Sequence, residues 1–216
     1  MSAEELAQIA SEVSVCTRCA LHQTRKKSVP GEGPENVEIM LIGEAPGFHE
    51  NEQGRPFIGA AGNFLNELLA QAGLQRSDVW IGNVVKCRPP SNRDPLPVEL
   101  AACDEYLERQ IAALNPKIII TLGRFSMGKF MPGVKISQVH GQMKRVGDRF
   151  VIAMYHPAAA LHQASFKPAI LADFAKLPQM LEFARNELAK SSLASESPKA
   201  SDKAPDAEDP TQLKLF

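Results

Sequence analysis

Apolar residues in this chain fall in short solid blocks separated by longer stretches of helical spacing. Four blocks, at 37–42, 79–85, 117–122 and 150–155, are almost wholly apolar instead of alternating with polar residues. That is how strands covered on both faces read, and strands interleaved with helices build a parallel sheet. Helical spacing predicts helices over 3–13, 61–72, 97–114 and 168–190, with Pro97 in the first turn of the third and a further short helix opened by Gly123. Two short runs, 136–139 and 143–146, read as strands flanking His140-Gly141 in a hairpin-like excursion. The expected fold class is α/β, a three-layer α/β/α sandwich with a central four-stranded parallel sheet.

Polar residues punctuate the strand ends. Glu44, Asn83 and His156 each stand where a predicted strand gives way to a loop. In an open parallel sheet the carboxyl ends of the strands share one edge, so these side chains are expected to meet in one crevice. From 191 to 211 apolar content nearly vanishes, which predicts a disordered linker after a folded domain of residues 1–190. The first ten residues carry acids and no apolar stretch, and no run is long enough to span a membrane. The expectation is a cytoplasmic protein with reduced thiols.

The chain has four cysteines, at Cys16, Cys19, Cys87 and Cys103. A Cys-x2-Cys bite sets two thiolates on one turn, and two more from distant loops can complete a four-ligand site for Zn or an iron-sulfur cluster. Disulfides need an oxidising compartment, and a thioredoxin-like pair needs its Cys-x2-Cys after a strand. The formal net charge of -1 argues neither for nor against a nucleic-acid partner. Its distribution says more: 124–149 holds Arg124, Lys129, Lys135, Lys144, Arg145 and Arg149 against Asp148 alone, and Arg25, Lys26 and Lys27 follow the first cysteine pair. The first group suits phosphate contact.

Gly43-Glu44-Ala45-Pro46-Gly47, Gly54-Arg55-Pro56-Phe57-Ile58-Gly59, the run from Asn83 to Pro90, and His156-Pro157-Ala158 together resemble the family 4, iron-sulfur uracil-DNA glycosylases. The resemblance covers about residues 14–185. It implies a uracil-DNA glycosylase in base excision repair, acting on uracil-containing DNA, single- or double-stranded, with the four cysteines holding a 4Fe-4S cluster; Zn is the alternative metal. It also implies roles for single residues. Phe57 offers a face for stacking, Asn83 reads the N3-H and O4 of uracil, and His156 donates to O2 as the glycosidic bond breaks. Ala45 and Gly47 let the backbone approach the base or sugar. Related families carry an Asp where this chain has Ala45, so the water-activating group is open between Glu44 and Glu50. Leu161 is the nearest bulky candidate to fill the gap left by a flipped base, and core packing is its alternative. An extra basic loop bearing a His, present in some relatives, is absent, and His140 is expected to face backbone or phosphate.

The last residues, Gln212, Leu213, Lys214, Leu215 and Phe216, look like the pentapeptide by which bacterial repair proteins bind the sliding clamp, with the linker as tether. Two rival readings stay open: a cluster-containing DNA-binding module without turnover, and a glycosylase for hypoxanthine or xanthine.

Overall fold

The computed structural model describes residues 2–196. In chain order the elements are α1 (Ser2–Val15), β1 (Ile39–Gly43), α2 (Phe48–Gln53), α3 (Ala60–Gln71), β2 (Val79–Asn83), α4 (Pro97–Leu114), β3 (Ile118–Leu122), α5 (Arg124–Phe130), α6 (Ile136–Val139), β4 (Gln142–Val146), β5 (Arg149–Met154), α7 (Pro157–His162) and α8 (Lys167–Glu196). The strands form one sheet in the order β2-β1-β3-β5-β4, parallel except for the antiparallel pair β4 and β5.

Every residue of β1, β2 and β3 is buried, which accounts for their unbroken apolar sequences. Successive side chains feed two different cores. Ile39, Leu41, Ile118, Ile120 and Ile152 pack with α3 and α8 on one face. Met40, Ile42, Ile119 and Val151 pack with α4 and α5 on the other, where Leu6 of α1 joins them. Three layers result.

The four expected parallel strands are present as β2, β1, β3 and β5, and the 143–146 run, expected as a strand in a hairpin-like excursion, joins the sheet as a fifth by pairing antiparallel to β5. Its partly exposed pattern marks an edge strand with solvent on one side. One expectation is corrected. The 136–139 run is the single helical turn α6. Four residues carry too few positions to separate a period of 2 from one of 3.6. Helix α2 was not anticipated, and α8 continues to Glu196, past the expected domain end at 190. The rest of the 191–211 linker and the peptide 212–216 lie outside the described residues. No helix among the described residues is long and apolar enough to cross a membrane.

Sheet order places the site. The chain leaves β1 toward β2, then crosses back to β3 on the other side of β1. That reversal opens a crevice at the carboxyl end of the sheet.

Candidate active site

A cavity of about 370 Å³ occupies this crevice, and Glu44, Glu50, Phe57, Asn83, Asp94 and His156 are among its lining residues. The three strand-end residues therefore meet as expected. Asn83 ends β2, Glu44 follows β1, and His156 sits two residues beyond β5. Ala45 and Gly47 line the same cavity.

Asn83 is 1% exposed, and its Oδ1 is buried with no hydrogen-bond partner. An unpaired buried acceptor costs about 1–3 kcal/mol, so its persistence at a cavity wall marks a place for a donor. From the other side the Asn83 backbone carbonyl accepts from the ammonium of Lys86 at 2.8 Å. Lys86 is itself fully buried, donates to Gln110 Oε1 at 2.6 Å, and is held down to a pKa of about 8 by burial, with the nearby Cys103 opposing that shift.

His156 is the N-cap of α7, and its Nδ1 accepts the backbone N-H of Ala158 at 3.1 Å. With Nδ1 used as an acceptor, the neutral ring carries its proton on Nε2. Burial pushes its pKa down to about 4; Glu50 opposes that shift and His162 adds to it. Gly123, at φ +96°, clears the space behind it, since a Cβ there would lie 3.1 Å from His156 Cβ.

Phe57 lies beside this imidazole, with ring centroids 5.4 Å apart and 25° between the planes. It is 6% exposed and adopts φ +51°, a left-handed conformation uncommon for a bulky side chain. Gly43 lets the ring and the amide approach each other. A Cβ on Gly43 would stand 2.5 Å from Asn83 Oδ1 and 2.6 Å from Phe57 Cζ.

The two carboxylates differ. Glu50 is buried, and its Oε1 accepts from the backbone N-H groups of Ile58 at 2.9 Å and Gly59 at 3.0 Å. Glu44 is half-buried, and its pKa is raised to about 7, first by desolvation and then by Asp94, with Arg124 opposing.

A family model described as the uracil DNA glycosylase superfamily matches residues 30–178. The chain belongs to that superfamily. Among its relatives, a type-4 uracil-DNA glycosylase of Archaeoglobus fulgidus is 44% identical over 187 residues, 82% of this chain and 94% of that protein. One of Thermotoga maritima is 43% identical over 185 residues, 83% of this chain and 96% of that protein. A type-5 uracil-DNA glycosylase of Thermus thermophilus is 34% identical over 151 residues, covering 60% of this chain and 68% of that protein.

In this member of the uracil DNA glycosylase superfamily the four cysteines also come together. Cys16, Cys19, Cys87 and Cys103 line a second, small hollow, with Arg18, Arg25 and Tyr106 around it. Arg25 Nη1 lies 3.4 Å from Cys87 Sγ, and the backbone N-H of Lys86 3.3 Å from Cys103 Sγ. Such donors suit anionic sulfur. Among the described residues, no three His, Cys, Asp or Glu side chains are spaced to share a single metal ion. Four thiols lining one hollow, with N-H donors near the sulfurs of Cys87 and Cys103, fit a thiolate-held metal group.

Elsewhere the fold alters what the sequence suggested. The basic stretch 124–149 meets acids from other segments: Arg124 pairs with Asp94, and Lys129 with Asp104 and Glu108, while Arg149 pairs with its neighbour Asp148 at 3.2 Å. Local composition counted Asp148 alone because the other acids lie distant in sequence. His140 is outside the cavity lining; its Nδ1 is 2.6 Å from Asp173 Oδ2, and its ring packs on Tyr155. Leu161, in α7, is 52% exposed, which removes core packing as its explanation. Sequence reasoning missed Gly43 and Asp94. Gly43 sat within a quoted motif, but its necessity lies in contacts no pattern displays.

Proposed function

We propose that this chain hydrolyses the N-glycosidic bond of deoxyuridine in DNA, releasing uracil and leaving an abasic site. The observation that carries this reading is the buried, unpartnered Oδ1 of Asn83 in one cavity with the neutral imidazole of His156. Uracil presents a donor at N3 and an acceptor at O4, which an amide matches with its oxygen and its NH2. Cytosine presents the reverse at both atoms. The amide's oxygen then faces a lone pair, a mismatch that leaves buried polar groups unpaired.

As the bond from C1′ to N1 breaks, its electron pair moves into the uracil ring and toward O2. The Nε2-H of His156 donates to that oxygen, and a preorganised donor in a desolvated pocket lowers the barrier by several kcal/mol, about 2.7–4 for one such donor elsewhere. A neutral donor suits this task because its proton is shared, not transferred, and its Nδ1 contact with Ala158 fixes the ring. Phe57 supplies the stacking surface. Positive charge develops on the sugar while water adds to C1′ and its proton leaves to a carboxylate. Glu44, half-buried beside the cavity and about half ionised at neutral pH, is the better placed acceptor for that proton. Glu50 spends Oε1 on the 58–59 backbone, so its part is to hold that loop while Oε2 lies toward Gly47.

The four cysteines would hold a 4Fe-4S cluster, which supplies structural cross-linking of the N-terminal segment to the loop after β2. No step of hydrolysis passes through it. Leu161 would fill the gap left by an extruded base, a role that duplex but not single strands require. Leu161→Ala should therefore slow release from duplex DNA more than from single strands; equal slowing removes the wedge. The tail peptide Gln212, Leu213, Leu215 and Phe216 would bind the sliding clamp of a cytoplasmic repair system. Deleting 212–216 should abolish clamp binding and leave hydrolysis of free oligonucleotides intact; retained clamp binding rejects the tether.

The central experiment is timed uracil release from a deoxyuridine oligonucleotide by wild type, Asn83→Ala and His156→Ala. Each variant should lose about 100-fold or more. Equal rates in all three would defeat the assignment.

A further inference from the structure

Phe57 is a costly way to make a stacking surface. Its backbone sits at φ +51°, where a side chain of this size persists only if its surroundings hold it. Three contacts do so. Glu50 Oε1 takes the N-H groups of the two residues after Phe57, Ile58 and Gly59. Gly62 at the start of α3 lies against the Phe57 carbonyl, since a Cβ there would come within 1.9 Å of that oxygen. The third contact is a guanidinium from outside the cavity.

Arg76 precedes β2 and does not line the cavity. Its Nη1 donates to the Phe57 carbonyl at 3.1 Å, and its Nη2 to the Pro56 carbonyl. Its Nε lies 3.5 Å from Glu32 Oε1, and Glu32 in turn takes a two-pronged contact from Arg55 at 2.6 and 2.8 Å. One fork thus grips the two carbonyls that bracket the Cα of the strained residue, while Glu50 grips the two N-H groups that follow it. A guanidinium presents donors at fixed separation in a plane, which a lysine cannot. Arg76 is 23% exposed, so the grip is partly shielded from water.

We propose that Arg76 is a positioning residue for the stacking ring: by clamping the Pro56 and Phe57 carbonyls it holds Phe57 in its left-handed conformation and presents the ring to the cavity. This rests on the glycosylase reading for its consequence, but not for its geometry. Arg76 touches neither the base nor the reacting atoms. Its loss acts through Phe57 alone, so it should matter only when an aromatic ring is there to be aimed.

Two readouts on the full-length chain test this. The first, hydrogen exchange of the segment 54–60 followed by mass spectrometry, needs no substrate: Arg76→Met should speed exchange there while protection of β1 and β3 stays as in wild type. The second is single-turnover uracil release from a single-stranded deoxyuridine oligonucleotide by wild type, Arg76→Met, Phe57→Leu and the double variant. Arg76→Met should cost about tenfold or more beside Phe57, in line with displacement of a binding surface, and less than about threefold in the Phe57→Leu background. Arg76→Lys, which keeps a charge beside Glu32 but reaches one carbonyl, should fall between and serves if Arg76→Met does not fold. Unchanged exchange at 54–60, or equal losses in both backgrounds, would overturn the proposal. A wild-type chain that releases no uracil would sink the glycosylase reading instead, and exchange alone would then decide whether Arg76 holds the loop.

Discussion

Gly43→Ala is the smallest change that should disable the pocket, because it adds one methyl where two recognition groups converge. The new Cβ would stand 2.5 Å from Asn83 Oδ1 and 2.6 Å from Phe57 Cζ, whereas ordinary contact begins at 3.4 Å. Something must move by about 0.9 Å, the difference between those distances. Phe57 yields little, being held through both of its peptide neighbours and stacked on His156. The burden falls on the amide of Asn83 or on the register of β1 against β2, which pairs Gly43 with Asn83. Overpacking of this kind costs about 1–3 kcal/mol of stability. Its effect on catalysis is larger, since a misplacement of about 1 Å can cost about 100-fold in rate. The assay is single-turnover uracil release with saturating enzyme, alongside a thermal melt. A variant that keeps a third or more of the wild-type rate would refute the claim that Gly43 exists to let amide and ring meet.

Two further outcomes follow from the charged groups and thiols. Glu44 has its pKa raised to about 7 in the fold, against an ordinary value of 4.5. The fold thus disfavours the carboxylate, and stability present below pH 4.5 is lost as pH rises toward 7. Glu44→Gln should flatten that slope in melts taken from pH 4.5 to 8. It should also remove a rise in release rate through about pH 7; a variant with the wild-type pH profile would exclude Glu44 as proton acceptor. Cys87→Ser should lose the brown colour and most of the about four irons expected per chain, with a lower melting temperature. Undiminished iron in that variant, or zinc in the wild type, would reject the cluster.

Much of the architecture was legible because burial on both faces leaves a direct mark in composition. A strand such as 118–122 has no solvent side, so its residues are apolar without alternation, and its place in a parallel sheet follows. The turn at 136–139 was misread as a strand, and the sheet pairing of the edge strand 142–146 went unforeseen, for the complementary reason. Both are short and partly exposed, and local pattern constrains such segments weakly. The site divides in the same way. Strand ends announce Glu44, Asn83 and His156, and the cysteine spacing announces a four-thiol hollow, because backbone topology alone brings those positions together.

By itself, then, the order of residues determined which chemistry is available and along which edge of the sheet it lies. Only the tertiary structure decided which groups are free to act. It left Asn83 Oδ1 without a partner, occupied Glu50 with two amides, and set the proton of His156 on Nε2 through a cap. It also neutralised part of a basic stretch with acids from distant segments. Burial, unpaired donors and acceptors, and opposing charges are properties of neighbours in space, and neighbours in space are what a linear pattern does not contain.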